Sequence, residues 1–272
     1  MVGVIVPVHG FAPYLAETLD CVLGQVPAPS AVVVVDDGSP EPLVLHADHA
    51  GRCTSVRRET RGGPAAARET GLEALGSDVR FVALCDADDA WTDGKLAAQL
   101  SALDRFPDAA LCFGRALVVG PDGRPTGERW AEPATGEHAG IELRRWLYES
   151  NPIPTSSVVV TRAALQAAGG FAASAFSGED WDWELWLRLA AGGASFVCAP
   201  DAVVRYRRHP GGLTANIAAL ARFQIAVHEH HGDLVDARTR ERVLAADRAA
   251  LRSVDRRSHG LRRFLPRRDP YR

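Results

Sequence analysis

The sequence has no apolar run of the roughly eighteen to twenty residues that a membrane-spanning helix needs. No spanning helix is therefore expected. The apolar N-terminus, Met1 to Pro7, lacks both a basic n-region and a small-residue cleavage site. It reads as a first buried strand and not as a signal peptide. Paired cysteines are missing too. Cys21, Cys53, Cys85, Cys112 and Cys198 are odd in number, scattered, and without metal-ligand spacing. Most stand among apolar neighbours, so they are expected to be small core residues in a reducing, cytoplasmic compartment. There is no excess of positive charge. The formal net charge is -3, which removes any global pull toward nucleic acid. Lysine is nearly absent: Lys95 stands alone against abundant arginine and alanine, a bias that suggests a GC-rich bacterial genome and carries no chemistry. No internal repeat or linker divides the chain.

What is present suffices for one substantial core, with 272 residues and 46% hydrophobic content. The first half alternates strand and helix signals. Val2 to Val8 and Ala31 to Val35 are continuous β-branched runs, the pattern of strands buried on both faces. Thr54 to Arg58, Phe81 to Cys85 and Ala110 to Val119 read as further strands. Tyr14 to Gln25, Ala65 to Leu75 and Gly94 to Phe106 carry helical periodicity. This rhythm predicts an α/β fold with a mainly parallel central sheet and helices on both faces. In the second half, Ile141 to Ser150 and Asp182 to Ala191 read as helices. Ser156 to Thr161, Ser195 to Cys198 and Val203 to Arg207 read as short strands. Ala215 to Ser253 reads as one or two amphipathic helices. Residues 1–214 are thus expected to form one domain, and 215–272 a helical extension with a basic tail, packed on it.

Polar clusters fall at the ends of the buried strands, where open α/β sheets bind ligands. Asp86-Ala87-Asp88-Asp89 places adjacent carboxylates together, and these repel unless a cation sits between them. Hard oxygen ligands suit magnesium or manganese; a polar strand-to-helix turn explains the same residues. Asp36-Asp37-Gly38-Ser39 can accept hydrogen bonds from a base or ribose, or simply form a turn. Gly62-Gly63-Pro64 leads to Arg68, which can pair with a diphosphate or lie on a solvated helix face. Ser177 and Asp180 have capping-box spacing, while Glu179 or Asp180 can equally serve as a general base. Arg205-Tyr206-Arg207-Arg208-His209 either completes a phosphate or metal site or forms an edge strand with solvated arginines.

The order of these stretches resembles that of family 2 glycosyltransferases, from Val4 to about Thr214. The matching pieces are Ile5-Val6-Pro7-Val8-His9, Val35 to Ser39, Gly63 to Gly71 around Ala67-Arg68, Leu84 to Trp91 with Lys95-Leu96, Gly169-Gly170-Phe171, Gly178 to Trp181, and Tyr206-Arg207 with His209. The sequence departs from the pattern at Gly10, at Arg61-Gly62-Gly63 and at Arg68-Glu69.

The resemblance implies a GT-A type fold and an inverting transfer of sugar from a nucleotide-diphosphate donor, UDP by default, to an acceptor hydroxyl. It implies that Pro7, Val8, His9 and Asp37 hold the nucleoside. Arg68 would lie near base and diphosphate, Asp86 and Ala87 at the ribose, and Asp88 on a divalent metal (Mn2+ or Mg2+) with His209 close by. Asp180 would be the catalytic base, with Glu179 beside it. Trp181 and the stretch Asn151 to Ser157, Ser156 included, would face sugar or acceptor. The acceptor is left open among glycan, lipid-linked, peptide and small-molecule classes.

Two other readings compete. A sugar-nucleotide nucleotidyltransferase would need a Gly-rich basic loop after the first strand, where Pro7 to Phe11 has no lysine or arginine. A non-catalytic nucleotide-binding protein on the same fold is the other. The tail segment Leu261-Arg262-Arg263-Phe264-Leu265 could rest on an anionic membrane surface, or be a solvated tail.

Overall fold

The computed structural model describes residues 1–130, 133–171, 181–210 and 217–262. The expected base Asp180, its neighbour Glu179, Ser177 before them and the end of the basic tail lie outside them. In chain order the elements are β1 (Val2–Val8), α1 (Leu15–Leu23), β2 (Ala31–Asp36), α2 (Ala47–Ala50), β3 (Thr54–Arg57), α3 (Pro64–Ala74), β4 (Phe81–Leu84), β5 (Ala90–Trp91), α4 (Lys95–Arg105) and β6 (Ala109–Val119). Then follow β7 (Pro125–Arg129), β8 (Gly136–His138), α5 (Gly140–Glu149), β9 (Val159–Thr161), α6 (Arg162–Ala167), α7 (Trp181–Ala191), β10 (Ser195–Arg207), α8 (Ile217–His230) and α9 (Ala237–Arg262).

Among the described residues the strands form one sheet in the order β3-β2-β1-β4-β9-β6-β10-β5, with β7 beside β6 and β8 beside β10. The four strands β3, β2, β1 and β4 are parallel, as are β6 and β10. The second half adds antiparallel pairs, with β9 bridging β4 and β6. The order reverses at β1, which has β2 on one side and β4 on the other. Their carboxyl ends therefore open one crevice, where ligands bind in open α/β sheets.

Strand alternation explains why β1 and β2 carry no polar residue until their ends. Val4, Val6, Val32 and Val34 face a core closed by Leu15, Leu19 and Val22 of α1 and by Leu96 and Leu103 of α4. Ile5, Val33 and Val35 face the other core, built with Ala67 and Leu72 of α3, Leu147 of α5 and Trp183 of α7. Both faces are dry, so each side chain adds about 1.5–3 kcal/mol of burial. Helix α7 is buried nearly all round, the mark of a central helix. Its Glu184 is paired with Arg188 at 3.2 Å and with His231 at 3.3 Å. His231 follows α8, and so ties the C-terminal helices to α7. His228 lies 2.5 Å from Asp247 of α9 and 2.6 Å from the Tyr148 carbonyl of α5.

Three details differ from the sequence reading. Ser195 to Arg207 is one strand, not two. The register shift between Cys198 and Val203 carries it past Pro200, and it passes there because Gly114 has no side chain: a Cβ would stand 1.7 Å from the Ala202 carbonyl. Ser156 to Thr161 begins as a 3-10 turn over Thr155–Ser157, with Ser157 donating to the Pro154 carbonyl at 2.7 Å, before β9. The short strands β5, β7 and β8 were not foreseen.

Candidate active site

The carboxyl ends of β1, β2 and β4 meet the start of α3, the chain from Asn151 to Thr155, the start of α7 and the end of β10 around a cavity of about 690 Å3. That volume suits a nucleotide-sized ligand. Pro7, Val8, His9, Asp37, Arg68, Asp86, Ala87, Asp88, Trp181 and His209 all line it. The structure thus brings ten of the expected residues into one place.

The turn after β2 divides its two carboxylates. Asp36 is buried and accepts from Ser39 N at 2.9 Å, from Leu43 N at 3.1 Å and from Arg57. Burial pushes its carboxyl up, but these hydrogen bonds outweigh burial and hold it below the usual range. Asp36 builds the turn. Gly38, at φ 64, is required there, since a Cβ would meet Arg61 N at 2.6 Å. Asp37 faces the cavity and accepts from Gly62 N at 2.9 Å and Gly63 N at 2.8 Å, with Arg58 Nε 2.8 Å away. Its own amide donates to the Val8 carbonyl at 2.8 Å, and its carbonyl lies 3.0 Å from His9 Nδ1. Asp37 therefore fixes the floor made by His9 and Gly62-Gly63.

Arg68 is almost wholly buried on α3. It donates to Asp86 and to the Pro64 carbonyl, and its guanidinium lies 4.3 Å from the centre of the Trp181 ring. A buried guanidinium needs such partners. Beyond it, Asp88 Oδ2 stands 2.9 Å from His209 Nε2. Asp89 turns away from the cavity. It accepts from Arg207 N at 2.9 Å and from the Ser156 hydroxyl at 2.6 Å. Ser156 is buried behind the cavity wall and also accepts from Asp86 N at 2.9 Å. It holds the acidic turn and does not line the cavity, where the sequence reading expected it to face sugar or acceptor. Arg207 is neither solvated nor free. It reaches Glu17 at 2.7 Å and the Asp88 carbonyl at 2.9 Å, and stacks on Tyr14 at 4.3 Å.

Burial shapes the acidity of the group. The Asp86 carboxyl is lifted to about 6, by burial first; Arg68 opposes the rise, and Asp88 and Asp182 add to it. Burial, then Asp88 and Asp86, push Asp89 well above the ordinary range. Asp182 is raised by burial, against hydrogen bonds from Thr155, Trp183 N and Asn151.

Asp182 was missed in the sequence, where it read as the first residue of a helix. A carboxylate inside a run of buried tryptophans was the available signal. Tyr14 and Trp130 also line the cavity, and neither stands in a motif. Among the described residues no three His, Cys, Asp or Glu side chains are grouped to hold an ion alone. Asp88 and His209, 2.9 Å apart, are a pair that could share one with a ligand's oxygens; the carboxylate and the ligand's oxygens suit Mn2+ or Mg2+, while the imidazole does not by itself select them.

Comparison with known proteins agrees with this layout. The model of "Glycosyl transferase family 2" matches residues 3–164, more than half of the chain. The chain belongs to glycosyltransferase family 2. It is 30% identical over 208 residues to an uncharacterized Mycobacterium tuberculosis protein, covering 74% of this chain and 56% of that one. It is 30% identical over 213 residues to the pre-mycofactocin glycosyltransferase of M. tuberculosis, covering 75% and 42%. Over 123 residues it is 33% identical to the succinoglycan biosynthesis protein ExoW of Rhizobium meliloti, covering 43% and 38%. The chain spans about half the length, or less, of these curated relatives. Its fold is similar to that of S. aureus TarS 1–349, with a TM-score of 0.62, 20% identity, and 90% and 69% of the two chains covered. For the TarS complex with UDP-GlcNAc the TM-score is 0.63 at 18% identity, covering 92% and 72%. Family 2 thus accounts for the α/β architecture and for the order of the strand-end motifs.

Proposed function

We propose that this family 2 protein transfers a sugar from a UDP-sugar to an acceptor hydroxyl, by a single displacement that inverts the anomeric centre. The observation that carries the reading is the convergence of His9, Asp37, Arg68, Asp86, Asp88 and His209 on one cavity. Asp37 and the Gly62-Gly63 amides shape the nucleoside end, and Asp86 meets the ribose. The choice of uridine is supported by TarS, a protein of the same fold seen in complex with UDP-GlcNAc and with UDP. Asp88 and His209 would hold a divalent ion beside the diphosphate. Bound there, it supplies Lewis-acid neutralisation of the charge that builds on the leaving group.

The acceptor hydroxyl must lose its proton as it attacks. Family resemblance gives that task to Asp180, with Glu179 beside it. Of the carboxylates that line the cavity among the described residues, Asp37, Asp86 and Asp88 are placed at the donor above, and Asp182, two residues on from Asp180, is the remaining one. Thr155 and Asn151 orient it, and burial raises its proton affinity toward that of a useful base. We therefore place the base at Asp182. With the acceptor oxygen attacking directly and no covalent enzyme intermediate, the product is inverted.

The test compares Asp182→Asn with Asp180→Asn in an assay of UDP release from UDP-sugars. The reading expects the first to lose turnover by roughly 100-fold or more while still binding UDP. Loss confined to Asp180→Asn would return the base to that residue.

A further inference from the structure

One part of the cavity takes no part in the donor contacts above. Trp130 and Tyr206 both line it, both are half-buried, and their ring centres lie 4.8 Å apart at 58°. Trp130 is held in place, since its Nε1 donates to the Pro152 carbonyl at 2.8 Å. That bond sets the ring against the chain that carries Asn151 and Thr155. Both of those side chains meet Asp182, and Asn151 Oδ1 is left without a donor. The arginines on this wall are already engaged: Arg208 pairs with Glu128 at 2.8 Å and lies 5.7 Å from the Tyr206 ring, and Arg207 is spent on Glu17 and backbone carbonyls.

A fixed aromatic surface, next to neutral hydrogen-bonding groups and one carboxylate, has a definite complement. A pyranose offers an apolar C–H face to an aromatic ring, and hydroxyls at its edge to amides and carboxylates. A phosphate-bearing acceptor calls instead for an uncommitted cation; on this wall Arg207 and Arg208 are both paired, and Arg61, which also lines the cavity, stands beside Gly62-Gly63 at the nucleoside end. We propose that Trp130 and Tyr206 form the acceptor subsite, and that its occupant is the terminal pyranose of a glycan or glycoside. The ring lies on the two aromatics with one hydroxyl directed at Asp182. This rests on the glycosyl-transfer reading of the same cavity, and it names the acceptor class that reading leaves open.

The experiment is saturation-transfer NMR on the full chain with UDP and Mg2+. The probes are millimolar methyl pyranosides of glucose, galactose, mannose and N-acetylglucosamine, a short-chain isoprenyl phosphate, and a serine-containing peptide. The account expects saturation of at least one pyranoside. In Trp130→Ala and Tyr206→Ala the signal should fall about tenfold, while the melting-temperature rise with UDP stays at the wild-type value. Trp130→Phe keeps a ring and should retain part of the signal. Several results would overturn the proposal. These are no pyranoside signal in the wild type, an unchanged signal in both alanine variants, or contact only with the isoprenyl phosphate or the peptide. Displacement of the pyranoside by UDP-GlcNAc but not by UDP would place the sugar on the donor side, and would overturn it too. Samples without nucleotide are read alongside. A protein stabilised by no nucleotide contradicts glycosyl transfer, whereas missing pyranoside contact in a UDP-binding protein contradicts this subsite alone.

Discussion

Asp86, Asp88, Asp89 and Asp182 crowd one end of the sheet, and their partners separate their roles. Asp89 is locked by Ser156 and Arg207, Asp86 is paired with Arg68, Asp88 reaches His209, and Asp182 is held by Thr155 and Asn151. In the sequence the acidic turn announces itself, but which carboxylate turns inward does not. That depends on Ser156, which is 67 residues from Asp89. Asp180 stands in a motif and Asp182 does not, so the sequence points to Asp180, and the structure adds Asp182 as a second candidate. The surroundings of Lys95 are also visible only in the structure. Its Nζ is buried 3.8 Å from the centre of the Trp91 ring, with no hydrogen-bond partner. Burial pulls it from 10.5 to about 7. Between about 7 and 10.5 the unfolded chain binds more protons than the folded one, so this residue makes stability rise with pH across that window. Below it the full cost of the buried charge remains. Replacing Lys95 with Met should therefore raise the melting temperature at pH 7 by several degrees, on the order of 2 kcal/mol or more. The gain should shrink toward pH 10. A variant that melts lower than wild type at pH 7 would mean that the Trp91 contact outweighs the cost of burial.

At the scale of elements, the strand-end logic of the first half was legible because β1, β2 and β4 are buried on both faces. Continuous valine and isoleucine runs mark such strands, and the polar residue that ends each run marks the crevice. The boundaries of these strands and of α1, α3 and α4 fall within two residues of the periodicity. The second half was less legible for physical reasons. Strands β5, β7 and β8 are two to five residues long and carry no apolar run, reading Ala-Trp, Pro-Thr-Gly-Glu-Arg and Gly-Glu-His. The break expected in β10 is absorbed by a bulge that depends on Gly114. The 3-10 turn at Thr155–Ser157 looked like strand, because its serines are buried for the hydrogen bonds they make and not for their apolarity. Ser156→Ala tests that role. Loss of the hydroxyl leaves Asp86 N and one Asp89 oxygen without a partner, costing about 1–3 kcal/mol. The melting temperature should fall by several degrees. A normal melting temperature with a raised KM for acceptor would instead put Ser156 at the substrate.

At the scale of the whole molecule, one sheet with two dry faces holds the cavity at its carboxyl edge, and α8 and α9 are fastened to α5 and α7 through His228 and His231. Among the described residues no helix is long and apolar enough to cross a membrane. The central claim is that this edge binds a nucleotide diphosphate through a metal shared with Asp88. Its most direct test is the melting temperature with UDP, GDP, dTDP and CDP, each with and without Mn2+, for the wild type and Asp88→Ala. A ligand at about 100 times its Kd adds about 2.7 kcal/mol, or roughly 5–10 °C for a chain of this size. The account predicts such a shift with UDP, dependent on Mn2+ and absent in Asp88→Ala. No shift with any nucleotide, or an equal shift without metal and in the variant, would contradict it.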